Sequence, residues 1–142
     1  MKSMNLPVDE FTTPDPVTAR ENMSTDELRE LMERHGIRHL PILRGDPVVG
    51  IISDRDLRLV SGLSVAEKLQ VQAGDIMATD PLTVSASMPL ADVAEAMARQ
   101  RVGSAIVTGD DGRLLGIFTA TDALNALVDV LRGTGTRWTH TG

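Results

Sequence analysis

The chain has 142 residues, an ordinary length for one domain, with 42% hydrophobic and 24% charged residues and a net charge of −6. That charge, the lack of any basic run and an aromatic set of only Phe11, Phe118 and Trp138 argue against a nucleic-acid surface, which needs a phosphate-neutralising face and rings for stacking. The absence of cysteine excludes disulfides and thiolate chemistry and suits a reducing cytoplasm, while no apolar run reaches the roughly 18 residues of a membrane span and residues 1–10 hold no signal-peptide-like stretch.

In chain order, an apolar lead-in covers 11–17. Ser24 and Glu27 then have capping-box spacing and open a helix. Leu28, Leu31 and Met32 share one face of it, and Gly36 ends it. Two strands, 37–43 and 48–53, flank a polar turn, and a second helix starts near Asp54. Residues 61–74 connect to the second half, with a short helix expected from the Ser64/Glu67 spacing. A second lead-in, 76–84, precedes a helix with Pro89 near its start and the stripe Leu90, Val93, Ala94 and Met97. Strands at 102–108 and 114–119 and a helix from about Ala120 follow. Met32 and Met97 are read as core, and residues 132–142, with Trp138, as either a flexible end or a docking tail.

The two halves repeat each other. A shift of 65 residues places Asp15-Pro16-Val17-Thr18 on Asp80-Pro81-Leu82-Thr83, Met32 on Met97 and Arg34 on Arg99. After a one-residue slip in the polar turn, Gly50-Ile51-Ile52-Ser53 falls on Gly116-Ile117-Phe118-Thr119 and Asp56 on Asp122. The order is β-α-β-β-α, twice. A sheet of two or three strands with one helical face does not bury itself, so the halves are expected to pack together, leaving two clefts.

These motifs resemble the CBS (cystathionine-β-synthase-type) family, over about residues 8–130. The first copy is Pro16-Val17-Thr18, Ile37-Arg38-His39-Leu40-Pro41-Ile42 and Gly50-Ile51-Ile52-Ser53-Asp54-Arg55-Asp56. The second is Pro81-Leu82-Thr83, Val102-Gly103-Ser104-Ala105-Ile106-Val107 and Gly116-Ile117-Phe118-Thr119-Ala120-Thr121-Asp122, with Ala-Ile where the family often has Leu-Pro. The resemblance implies an α/β (α+β) fold of two β-α-β-β-α CBS repeats packed sheet to sheet with pseudo-two-fold symmetry. The expected division is repeat 1 at 8–62, a linker at 63–74, repeat 2 at 75–131 and a tail at 132–142. It also implies a cytoplasmic regulatory module without catalysis, working as a homodimer or through an effector protein. Its ligand would be AMP, ADP or ATP, or another adenosyl compound such as S-adenosylmethionine. A dimerisation module with empty clefts is the alternative, and neither nucleic acid nor membrane is an expected partner.

The residue types suit that ligand. One carboxylate can accept hydrogen bonds from both hydroxyls of a ribose, a role for Asp56 and Asp122. Ser53 and Thr119, three residues earlier at a strand-to-helix junction, suit phosphate oxygens, although both are equally good N-caps with no ligand. The family's cross-pairing groups Asp122, Thr119 and Thr121 with Thr18, Ile37, Arg38 and His39. It groups Asp56, Ser53 and Arg55 with Thr83, Val84, Val102 and Ser104. Arg38, Arg55 and His39 are the phosphate candidates, and an unperturbed His39 would tighten phosphate binding as pH falls. His35 and His39 have zinc-like spacing, but Gly36 should end the helix between them, so no metal site is read there.

Overall fold

A computed structural model describes residues 6–133. The chain opens with a 3-10 turn, Val8–Phe11, and strand β1, Thr13–Pro14. Next come β2 (Ala19–Arg20), α1 (Thr25–His35), β3 (His39–Leu43), β4 (Val48–Ser53) and α2 (Asp54–Val60). Two short helices follow, α3 (Val65–Lys68) and α4 (Ala73–Ile76). The second half consists of β5 (Ala78–Thr79), β6 (Thr83–Ser85), α5 (Leu90–Gln100), β7 (Ser104–Thr108), β8 (Leu114–Thr119) and α6 (Ala120–Arg132). No described helix is long and apolar enough to cross a membrane. The tail expectation, Trp138 included, falls largely on 134–142, outside the described residues.

The described residues form two compact units that cut across the sequence repeats. Residues 16–81 make one, and 6–15 join 82–133 in the other. In the first, the sheet order is β2-β3-β4-β5; in the second it is β1-β8-β7-β6. Each unit therefore borrows its antiparallel edge strand from the lead-in of the other repeat: β1 pairs with β8, and β5 with β4. Each sheet has four strands, not the two or three expected from the sequence. The chain crosses between units at Asp15-Pro16 and Pro81-Leu82. Asp15 and Asp80 stand at φ 48° and 53°, in the left-handed region, which aspartate tolerates better than most residues.

Local chemistry fixes the helices. Ser24 accepts from the Glu27 N–H and Glu27 accepts from the Ser24 N–H, closing the capping box at α1. The same reciprocal pair at Ser64 and Glu67 starts α3, as the spacing predicted. Gly36 leaves α1 at φ 62°, and its counterpart Arg101 leaves α5 at φ 58°. At both exits the next amide stays with the helix: Ile37 N–H donates to the Met32 carbonyl (3.0 Å) and Val102 N–H to that of Met97 (3.1 Å). For that reason β3 and β7 begin at His39 and Ser104, two residues later than expected. The second lead-in also differs from expectation, because Ile76 belongs to α4.

Each unit has its own core. Leu28, Met32, Leu40, Ile42, Ile52 and Leu57 fill one. Val8, Phe11, Val93, Met97, Val107 and Phe118 fill the other. Met32 and Met97 are each 5% exposed, core residues as read from their helical stripes.

Candidate functional site

Each unit carries a strand-to-helix junction of the same construction. In residues 16–81, β4 ends at Ser53, whose side chain accepts from Asp56 N–H (3.3 Å) while Asp56 Oδ2 accepts from Ser53 N–H (2.9 Å). In the other unit, Thr119 Oγ1 accepts from Asp122 N–H (3.2 Å) and Asp122 Oδ2 from Thr119 N–H (3.0 Å). Capping therefore uses the same side chains that were expected to meet a ligand. A carboxylate keeps spare acceptor capacity after one such bond, so the cap does not by itself close the site.

The neighbouring strand brings in the remaining candidates. His39 pairs with Ser53 across β3–β4, and the Arg38 carbonyl accepts the Asp54 N–H (2.9 Å). Arg38, His39, Ser53, Arg55 and Asp56 thus gather at one end of one sheet. Ser104 pairs with Thr119 across β7–β8, and the Gly103 carbonyl accepts the Ala120 N–H (2.9 Å). β3 lies inside its sheet, with His39 at its first position and Arg38 just before it. The side chains of Arg38 and Arg55 are exposed and ion-paired with no described residue.

The other candidates lie further along. Thr18 is half-buried just before Ala19, which pairs with Ile42, and Thr83 is exposed and pairs with Ile106. Ile37 packs against its core, whereas Val102 is 39% exposed, and Val84 and Ser104 are buried. Thr121 is exposed on the first turn of α6.

Sequence reasoning missed Thr13. Its hydroxyl lies 3.3 Å from both oxygens of Asp122. No spacing signalled it, because 109 residues separate the pair and the repeat counterpart, Ala78, has no hydroxyl.

His39 is perturbed, contrary to the expectation. Burial pushes its imidazole below the usual value, Arg38 adds to the lowering, and Asp54 and Asp56 oppose it. Below about pH 6.5 the unfolded chain takes up a proton that folded His39 resists, so stability is full above that pH and falls beneath it. Wild type should lose more melting temperature than His39→Gln between pH 7.5 and 5.5, measured by calorimetry; parallel losses would contradict this. Any gain in phosphate affinity from His39 protonation is displaced to lower pH than an ordinary imidazole would give.

A duplicated α/β module with a capped hydroxyl-and-carboxylate junction in each unit is the class these features define. The CBS domain family model matches residues 8–62 and 73–129, and the chain belongs to that family. The chain is 34% identical over 112 residues to the inosine-5'-monophosphate dehydrogenase of Korarchaeum cryptofilum, covering 79% of this chain but 22% of that enzyme. Among solved structures it resembles CBSX2 of Arabidopsis thaliana in complex with AMP, with TM-score 0.76, 26% identity and 89% and 98% of the two chains covered. It also resembles the CBS domain pair of protein MJ0100 in complex with 5-methylthioadenosine and S-adenosyl-L-methionine, with TM-score 0.76, 26% identity and 86% and 99% covered.

Proposed function

We propose that this chain is an adenine-nucleotide-binding regulatory module that senses AMP, ADP or ATP and performs no catalysis itself. The duplicated junction carries the reading: at a helix start, a hydroxyl and a carboxylate three residues apart offer a donor for phosphate oxygens and acceptors for a ribose diol. The AMP complex of a structurally similar CBS pair supports it. A regulatory role is supported by the dehydrogenase relative, of which this chain matches only 22%. The module works in the cytoplasm, as a homodimer or through an effector protein, and binds neither nucleic acid nor membrane. The second reading, an S-adenosyl ligand, is favoured by the complexes of the MJ0100 domain pair.

A thermal-shift panel of AMP, ADP, ATP, S-adenosylmethionine, NADH and cyclic dinucleotides tests this. A ligand at a hundred times its dissociation constant adds about 2.7 kcal/mol of stability, a shift of several degrees for a domain of this size. A shift with an adenine nucleotide supports the nucleotide sensor. A shift with S-adenosylmethionine alone selects the second reading. No shift at millimolar concentration with folded protein leaves a dimerisation module and overturns both.

A further inference from the structure

We propose that the two junctions have diverged, so that Asp56 is the carboxylate that takes the ligand's vicinal diol and Asp122 is an anchor that holds β1 to its sheet. This rests on the nucleotide-binding reading above. Thr13 pairs with Ile117 across β1–β8, and Ala78 pairs with Ile51 across β5–β4. Ile117 and Ile51 are repeat counterparts, so Thr13 and Ala78 occupy the same position in their units.

What stands at that position decides the state of the carboxylate. Asp122 is 3% exposed, with the Thr13 hydroxyl shared between its oxygens and the Thr119 N–H on one of them. A diol would compete with the Thr13 hydroxyl for these oxygens. Asp56 is half-buried, and Ala78 offers it no hydroxyl. Only its Oδ2 is engaged, by Ser53 N–H; Oδ1 has no hydrogen-bond partner among the described residues. The open Oδ1, together with the remaining lone pair of Oδ2, leaves acceptors for a diol's two O–H donors.

The charges are divided in the same sense. Arg38 and Arg55 belong to the unit of Asp56, and their counterparts beside Asp122 are the uncharged Gly103 and Thr121. A phosphate-bearing ligand therefore finds its diol acceptor and its cations in one unit. The ligand class that follows is a ribonucleotide with an unsubstituted 2',3'-diol; a 2'-deoxynucleotide loses half of the recognition.

Titration calorimetry on the full chain with AMP and 2'-deoxy-AMP, alongside thermal melts, tests the assignment. Asp56→Asn should weaken AMP about tenfold or more, as expected for loss of a charge-assisted hydrogen bond, and should abolish the preference for AMP over its deoxy analogue. Ala78→Thr, which supplies the missing hydroxyl, should also weaken AMP. Asp122→Asn and Thr13→Val should each lower the melting temperature and combine less than additively, and Thr13→Val should leave AMP affinity within about twofold of wild type. Unchanged affinity in Asp56→Asn, or a tenfold loss confined to folded Asp122→Asn, overturns the proposal. If wild type binds no adenine ligand, the nucleotide reading has failed and takes the Asp56 assignment with it. The Asp122 anchor is then judged by the double-mutant cycle alone, where strict additivity overturns it.

Discussion

Phe118→Ala should cost about 3–5 kcal/mol of unfolding free energy, the range for emptying a buried aromatic site. Phe118 is fully buried and packs among Val8, Phe11, Val93, Met97, Val107 and Ala126. Domains have a total stability of about 5–15 kcal/mol, so this single change removes a large share of it. Urea denaturation measures the loss as a lower midpoint, and Phe118→Leu, which leaves a smaller void, should lose less. A change below about 1 kcal/mol for the alanine variant would mean that the core collapses around the site.

Gly116→Ala should detach β1 and cost about 1–3 kcal/mol, the usual range for overpacking. A Cβ on Gly116 would lie 2.5 Å from the Thr13 carbonyl oxygen and 2.5 Å from Thr12 Cγ2. A backbone carbonyl cannot rotate away, so the strand itself must move. Its pairing with Ile117 and the Asp15 N–H bond to the Leu115 carbonyl (3.4 Å) go with it. The counterpart change, Gly50→Ala, first meets the side chain of Met77, at 2.5 Å from Sδ and 2.8 Å from Cγ. Methionine can swing aside, although the Ala78 carbonyl oxygen, at 2.9 Å, also resists. The loss at Gly116 should therefore exceed that at Gly50. Hydrogen exchange adds a local readout: the Asp15 amide should lose protection in Gly116→Ala. Equal losses at the two glycines, or a protected Asp15 amide in Gly116→Ala, would show that the sheet edge yields without releasing the strand.

The two glycines illustrate how the sequence could be read in part. Each opens a Gly-apolar-apolar-Ser/Thr motif recognisable from the repeat, and strands 48–53 and 114–119 were placed where they are found. What the glycines accommodate was not legible, because the chain lying against Gly116 comes from residues about a hundred positions earlier. His39 shows the same limit. Its place on the first strand of the pair followed from local pattern, but its depressed pKa depends on burial that only packing creates.

The sequence by itself determined the helices other than α4, the central strand pairs, the core stripes and the two capped junctions. Those features arise from contacts a few residues apart: capping boxes at Ser24, Ser53, Ser64 and Thr119, a glycine exit at Gly36, and helical spacing through Met32 and Met97. Tertiary structure decided which sheet receives each lead-in, and with it which carboxylate is covered. A two-residue strand such as β1 or β5 carries too little pattern to specify a partner. Its place is set by the unpaired hydrogen-bonding edge that the folded sheet presents. Thr13 and Ala78 differ by one hydroxyl whose consequence appears only after each strand has joined the sheet of the other repeat.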